Sequence, residues 1–128
     1  MLDTNVISAL VYEPRGKVFQ KVIEVGEDNV FTSIFVHAEI WYGVKKWGSD
    51  DLATKVANVT RRMYVASFAM PGDRIYADIR LALRKGQDIG SNDMWIAGHA
   101  LALDAVLVTA NEDEFSRVPG LKVENWLH

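Results

Sequence analysis

Residues 91–109 read SNDMWIAGHALALDAVLVT, and a change of pattern inside this stretch decides the fold. The first part has apolar residues at helical spacing as far as about Leu103, and Ser91 is the predicted N-cap. The last part, residues 105–109, is a short apolar run that is typical of a buried strand. A helix that leads directly into a strand predicts an α/β fold, in which helices cover a parallel sheet.

The same alternation continues on both sides of this stretch. Further strands are predicted at residues 1–4, 30–32 and 121–124. Ser33 is the predicted cap of a helix that ends near Gly48, and a second helix is predicted over residues 50–66. Pro71, Gly72 and Asp73 predict a turn whose acid caps another helix, and residues 111–115 predict a single helical turn. No repeat or linker interrupts the pattern, so one domain over residues 1–128 is expected.

Composition narrows the possible functions. The chain has 128 residues, of which 49% are hydrophobic and 24% charged, so it resembles ordinary globular proteins rather than disordered ones. It has no cysteine, which excludes disulfides and thiolate metal sites. The formal net charge of −3 argues against nonspecific binding to nucleic acid through the whole surface. The first residues lack the basic and apolar pattern of a secretory signal, and a cytoplasmic location is expected.

Three acids stand where an isolated acid is unfavourable. Glu39 and Asp93 lie on predicted helices and have no basic residue three or four positions away. Asp3 ends a predicted strand, and ligands of parallel α/β sheets bind at the carboxyl ends of strands. Each position also has a plain structural explanation: a solvated rim residue for Glu39, a helix cap for Asp93 and a turn for Asp3.

More acids, Glu112, Asp113 and Glu114, follow the predicted strand at residues 105–109. Folding can therefore gather four carboxylates at one edge of the sheet, although any one of them is also explained as a solvated loop charge. Carboxylates held close together share protons or bind a cation. Oxygen ligands without cysteine or paired histidine favour Mg²⁺ or Mn²⁺.

Four segments, in order, resemble the PIN-domain ribonucleases, and specifically the VapC toxins of type II toxin–antitoxin pairs. The resemblance covers nearly the whole chain, and residues 86–97 carry the most specific motif. The segments are Leu2-Asp3-Thr4-Asn5-Val6, Ala38-Glu39 with Gly43-Val44, GQDIGSNDMWIA at residues 86–97, and VTANEDEF at residues 108–115. The resemblance implies a three-layer α/β/α PIN-like domain with a central, mainly parallel sheet of four to five strands.

The resemblance also implies the residues of a metal-dependent active site. Asp3, Glu39, Asp93 and Glu114 would be both catalytic and metal-binding. Asp113 or Glu112 is an alternative fourth acid, because three consecutive acids leave the register open. Thr4, Asn5 and Thr109 would orient the ligands and water.

The implied activity is endoribonuclease cleavage, in which water activated by Mg²⁺ or Mn²⁺ hydrolyses an RNA phosphodiester bond. The implied partners are an RNA substrate, such as tRNA or rRNA, a cognate VapB-type antitoxin that inhibits the enzyme, and a second copy of the chain in a homodimer. No membrane association is expected. An aromatic and methionine-rich set is either a groove for a partner or core packing: Trp41, Tyr42, Trp47, Met63, Tyr64 and Phe68.

Two other functions remain open at this point. One is a catalytically inactive PIN-like module that binds RNA or protein. The other is a phosphatase of the haloacid-dehalogenase type, with Asp3 as the nucleophile. That chemistry needs a second acid two positions later, where this chain has Asn5.

Overall fold

The strands form a parallel arrangement in the computed structural model, which describes residues 1–84, 86 and 88–128. Within this part of the chain, β1 pairs with β2 and β3 pairs with β4, both in parallel. The strands are β1 (Phe31–Ser33), β2 (Tyr64–Ala66), β3 (Leu107–Val108) and β4 (Val123–Glu124).

Leu2 joins the two strand pairs into one sheet. It forms parallel bridges to Thr32 of β1 and to Val108 of β3. The Leu2 N–H donates to the carbonyl of Phe31 over 2.8 Å, and the next N–H, that of Asp3, donates to the carbonyl of Val108 over 2.9 Å. The order across the sheet is therefore β2, β1, Leu2, β3, β4, which confirms the predicted parallel α/β sheet of four to five strands.

Helices connect these strands along the chain. The α-helices are α1 (Thr4–Tyr12), α2 (Lys17–Val25), α3 (Ile34–Trp47), α4 (Asp50–Thr60), α5 (Gly72–Ala82), α6 (Ser91–Ala102) and α7 (Glu112–Phe115). The apolar core includes the fully buried side chains of Leu2, Val36, Ile96 and Phe115. No helix in the described residues combines the length and apolar character that crossing a membrane requires.

The predicted boundaries of α3 are confirmed. The Ser33 hydroxyl accepts a hydrogen bond from the Phe35 N–H over 3.0 Å, as an N-cap does. The helix ends at Gly48, whose φ of 78° lies in the left-handed region that favours glycine. Local cap chemistry therefore fixes the helix that carries Glu39.

Three predicted boundaries are wrong. The helix predicted over residues 50–66 ends at Thr60, because Tyr64–Ala66 pairs with β1 as a strand. Asp73 makes no capping hydrogen bond, because Pro71 occupies the N-cap and Asp73 already lies in the first turn of α5. Ser91 is the first helical residue of α6 rather than its cap, because Gly90 takes the N-cap position.

The predicted strand at residues 1–4 shortens to the bridge at Leu2, and α1 follows at once. Asp3 is the N-cap of α1, with extended backbone angles of −81° and 169°. The chain therefore turns from sheet to helix at the first predicted acid. The predicted motif at residues 86–97 includes Gln87, which lies outside the described residues.

Candidate active site

The four predicted acids come from separate segments that converge at the carboxyl edge of the sheet. Asp3 follows Leu2, and Glu114 lies on α7, a few residues beyond the end of β3. Glu39 lies in the middle of α3, and Asp93 lies in the first turn of α6. The Glu39 carboxylate contacts Asn92, the residue before Asp93, and the charges of Asp3 and Glu114 act on Asp93.

Asp3 is the most deeply buried of these acids, with 3% of its surface exposed. Its Oδ1 accepts a hydrogen bond from the Thr4 N–H, and its Oδ2 accepts one from the Thr109 hydroxyl, each over 2.8 Å. Burial raises the pKa of Asp3, and the nearby charge of Glu114 raises it further, against the opposing effect of the two hydrogen bonds. Asp3 is therefore fixed in orientation but costly to ionise.

Glu39 approaches Asp3 from α3. Its carboxylate accepts a hydrogen bond from the side-chain amide of Asn92, which is the residue before Asp93. Partial burial of the carboxyl group raises the pKa of Glu39, and the charge of Asp3 adds to this effect. The contact with Asn92 ties the position of Glu39 to the first turn of α6.

Asp93 has the strongest shift of the cluster. Burial, followed by the charge of Asp3 and by contact with Glu114, raises the pKa of Asp93 from 3.8 to about 7. Partial burial and the neighbouring acids therefore oppose the ionisation of Asp93.

The other two candidates for the fourth acid lie on the same short helix but contact residues outside the carboxylate cluster. Glu112 accepts a hydrogen bond from the side-chain amide of Asn125 over 3.3 Å. Asp113 is exposed, and its carbonyl accepts a hydrogen bond from the Ser116 hydroxyl. Of the three consecutive acids, Glu114 is the one whose charge acts on both Asp3 and Asp93.

The predicted supporting residues have different tasks. Thr109 holds Asp3 with its hydroxyl proton, and the same oxygen accepts the Asn111 N–H over 3.0 Å. The Asn5 Oδ1 accepts the backbone N–H of Ala110 over 3.0 Å, so this hydrogen bond does not involve an acid. Asn5 therefore stabilises the loop after β3 rather than orienting an acid.

Asn92 is the contact that sequence reasoning missed. Asn92 lies within the predicted motif, where its amide resembled an ordinary solvated side chain. In the fold the residue is indeed exposed. Its position directly before Asp93 was the available signal, because both residues lie in the first turn of the same helix. In the fold, Asn92 joins α6 to Glu39 of α3.

The donor set fits a divalent cation in chemistry and charge. All the gathered groups are oxygen donors, and burial, together with the charges of neighbouring acids, raises the pKa of three carboxyl groups. The Thr4 hydroxyl is buried near Glu39, and its proximity lowers the pKa of Glu39 against the effect of burial. In the described residues, no three acidic or histidine side chains already stand in the geometry of a formed metal site. Ionised carboxylates repel, so closer approach requires a cation or a shared proton.

Two apolar depressions lie beside α1. The larger, of about 570 Å³, lies between α1, α2 and α4, and the smaller, of about 220 Å³, reaches Thr4 and Glu39. They share Val11 and Tyr12, so we call them together the α1 groove. The predicted aromatic set does not form it as a unit: Met63 lines the larger part and Trp47 the smaller.

Comparison with known proteins gives consistent matches over the whole chain. The PIN domain profile matches residues 1–121. Ribonuclease VapC2 of Rickettsia felis is 34% identical over 129 residues, which covers 98% of this chain and 96% of that protein. The tRNA(fMet)-specific endonuclease VapC of Shigella flexneri is 30% identical, over 98% of this chain and 96% of its own length.

A solved structure extends this similarity to three dimensions. The crystal structure of VapBC2 from Rickettsia felis, bound to a DNA fragment from its promoter, contains a chain that matches with a TM-score of 0.90. The two chains are 33% identical, and the match covers 98% of this chain and 97% of the other.

Proposed function

Because this chain belongs to the PIN-domain family and to the VapC ribonucleases within it, we propose that it is an endoribonuclease toxin that depends on Mg²⁺ or Mn²⁺. The observation that carries this proposal is the convergence of Asp3, Glu39, Asp93 and Glu114 at one edge of the sheet. The proposed substrate is RNA, and tRNA is the first candidate because a relative is named for tRNA(fMet).

Each acid has a separate task in this proposal. Asp3 is held in one orientation by hydrogen bonds from Thr4 and Thr109. Asn92 orients Glu39 from the opposite helix. Burial and the neighbouring acids raise the pKa of Asp93, and a bound cation would favour its ionised form. A bound divalent cation would lower the pKa of water and offset the charge that develops on the phosphate.

Cleavage of purified RNA tests this function directly. We expect antitoxin-free protein to cut tRNA or total RNA into discrete products with Mg²⁺ or Mn²⁺, and EDTA to stop the reaction. Asp3→Asn should lose at least about 100-fold in rate, since changes even behind metal ligands cost 10–100-fold. Asn remains a good N-cap for α1, so the variant should fold.

The matched control is Glu112→Gln. Glu112 is an acid of α7, like Glu114, but its carboxylate accepts a hydrogen bond from Asn125. The cleavage rate of this variant should equal that of the wild type. Products that persist in EDTA, or equal cleavage by Asp3→Asn, would show that the activity does not come from this site. A folded protein that binds Mn²⁺ but cuts no RNA would favour the inactive binding module.

The phosphatase alternative fits the site less well. Both carboxylate oxygens of Asp3 already accept hydrogen bonds, and only 3% of the residue is exposed, which disfavours a covalent nucleophile. Two residues later, Asn5 is engaged with the backbone of Ala110 instead of facing a substrate.

We also propose that a VapB-type antitoxin covers the α1 groove. The groove has an apolar floor, and the exposed side chains of Phe19 and Ile23 at its edge suit the apolar face of a helix. Lys55 and Arg62 also line it, but each pairs with an acid of this chain, Asp51 or Glu27, so the apolar floor rather than charge supports this assignment. Since the smaller part reaches Glu39, a partner in the groove would block the active site.

Substitution at the groove edge tests this assignment. Ile23 is 58% exposed, so Ile23→Glu should leave stability nearly unchanged while weakening the binding of a VapB-type antitoxin from the same organism at least about 10-fold. Leu81→Glu is the matched control, because Leu81 is 60% exposed on α5, outside the groove. Calorimetric titration measures the affinity of both variants for the antitoxin. Equal affinities for the two variants would place the antitoxin elsewhere.

The remaining expectations also stand as proposals. A single PIN domain over residues 1–128 is supported by the profile match over residues 1–121 and by β4, which continues the sheet beyond that range. A homodimer follows from the family resemblance, and light scattering of antitoxin-free protein measures it. We propose a cytoplasmic location because the proposed substrate is cellular RNA.

A further inference from the structure

A chain of hydrogen bonds through His99 connects three parts of the fold. The Ser33 hydroxyl and His99 Nδ1 are 2.7 Å apart, and His99 Nε2 is 3.1 Å from the carbonyl oxygen of Ser67. His99 is 1% exposed, and Ser33 is fully buried. The chain thus joins α6, the start of α3 and the segment after β2.

The direction of each hydrogen bond follows from the donors available. Ser33 Oγ accepts the Phe35 N–H as the cap of α3, and its own proton remains to be donated to His99 Nδ1. The carbonyl of Ser67 is only an acceptor, so His99 donates its Nε2 proton there. This pattern assigns the neutral imidazole with its proton on Nε2, and burial lowers the pKa of His99 in agreement.

Three contacts run in order along the pair of helices that carries two of the acids. Ser33, at the start of α3, meets His99, near the end of α6. In the middle, the rings of Phe35 and Trp95 are 5.7 Å apart. Farther along, Glu39 meets Asn92, in the first turn of α6. The two helices therefore run in opposite directions here, with the histidine at one end and the acids at the other.

Aromatic packing makes the histidine end rigid. The ring of His99 lies edge-on to Phe35 and to Phe68, at centroid distances of 5.8 and 5.2 Å. Movement of His99 would break one buried and one partly buried hydrogen bond and disturb both ring contacts. Because an unpaired buried polar group is unfavourable, this end of the helix pair has one preferred arrangement.

We propose that His99 is a positioning residue, which sets the separation of Asp93 and Glu39 by fixing α6 against the start of α3. Through that separation it controls how tightly the carboxylate cluster holds a divalent cation. That the ligand is a divalent cation rests on the proposed function, whereas the effect of His99 on the position of α6 does not.

A direct catalytic role for His99 is inconsistent with its surroundings. Both ring nitrogens are engaged, and the ring is shielded from solvent. It also lies six residues after Asp93, which is about 9 Å along the axis of an α-helix. The effect of His99 on the site must therefore pass through the helix.

Two measurements on His99→Leu test the proposal. The first is Mn²⁺ affinity by calorimetry, which we expect to weaken about 10-fold, as for other residues behind metal ligands. The second needs no metal: the NMR signals of the Asn92 side-chain amide, which should move towards those of a solvent-exposed amide as its contact with Glu39 loosens. His99→Gln keeps one acceptor and one donor, and should restore both readouts to near wild-type values.

Thr60→Val is the control for a merely structural role. The Thr60 hydroxyl donates to the carbonyl of Val56 inside α4, so this variant also loses a buried hydrogen bond, in another helix. It should lower thermal stability while leaving Mn²⁺ affinity and the Asn92 signals unchanged.

The outcomes separate this proposal from the proposed function. If His99→Leu folds and both readouts match the wild type, the positioning role is wrong. If His99→Leu does not fold, Ser33→Ala decides by the same criteria, because it removes the partner of Nδ1. A wild type that binds no Mn²⁺ contradicts the metal-dependent function, and the Asn92 signals then decide the positioning role alone.

Discussion

Asp93→Asn is expected to reduce RNA cleavage at least about 100-fold and, at the same time, to stabilise the metal-free protein at pH 8. Both effects have the same origin. Asp93 is surrounded by Asp3, Glu39 and Glu114, and this concentration of negative charge suits a cation but opposes folding without one. Asparagine keeps the shape of the side chain and removes the charge.

The sign of the pH effect follows from the direction of the pKa shift. The pKa of Asp93 rises from 3.8 to about 7 on folding, so the folded state holds the proton more tightly than the unfolded state. The group destabilises the fold fully above pH 7 and not at all below about pH 4. Between these values, stability should fall as the pH rises.

Urea denaturation in EDTA, at pH 4 and at pH 8, measures this difference. Because Asp93 is only partly buried, solvent screening reduces the expected gain for Asp93→Asn to about 1–2 kcal/mol at pH 8. At pH 4 the two proteins should be nearly equal. Glu112→Gln should show no such gain. A variant that cleaves RNA like the wild type, or that is no more stable at pH 8, would contradict the assignment of Asp93 to a crowded acidic site.

Phe115→Ala is expected to lower the free energy of unfolding by about 3–5 kcal/mol. Phe115 is fully buried at the end of α7, and the short helix has few other means of attachment to the core. Its truncation would leave a cavity and release Glu114, the preceding residue, from its position beside Asp93. RNA cleavage should therefore fall together with stability.

Chemical denaturation of two further variants checks the cause. Phe115→Leu keeps most of the buried volume and should lose about 1 kcal/mol. Trp47→Ala removes an aromatic ring that is 77% exposed and should change stability by no more than about 0.5 kcal/mol. A loss below about 1 kcal/mol for Phe115→Ala would mean that α7 is held by other contacts.

Much of this arrangement could be predicted from residues close together in sequence. The parallel sheet followed from the change of pattern at residues 91–109, and the ends of α3 followed from Ser33 and Gly48. The position of Asp3, and that of the three consecutive acids that include Glu114, followed from strand ends, since strands of a parallel sheet share one carboxyl edge. These features depend on local backbone preferences and on the pattern of apolar residues.

The features that were missed depend on contacts between distant residues. Tyr64–Ala66 continues a helical pattern in sequence but becomes a strand because it pairs with β1. The position of Asn92 beside Asp93 is a local signal, but its partner Glu39 lies 53 residues away in sequence. The alternatives among Glu112, Asp113 and Glu114 also differ only in what each side chain meets after folding. Local patterns carry no information about such pairings.

The bridge at Leu2 has a consequence for the time at which the protein becomes active. The centre of the sheet comes from the start of the chain, yet its neighbour β3 and the acid Glu114 come from near the end. Thr109 and Asp3, which share a hydrogen bond, are separated by 106 positions. During translation, Leu2 can pair with β1 early, but its other side stays unpaired until β3 is made. The active site therefore cannot form before β3 and Glu114 have been synthesised.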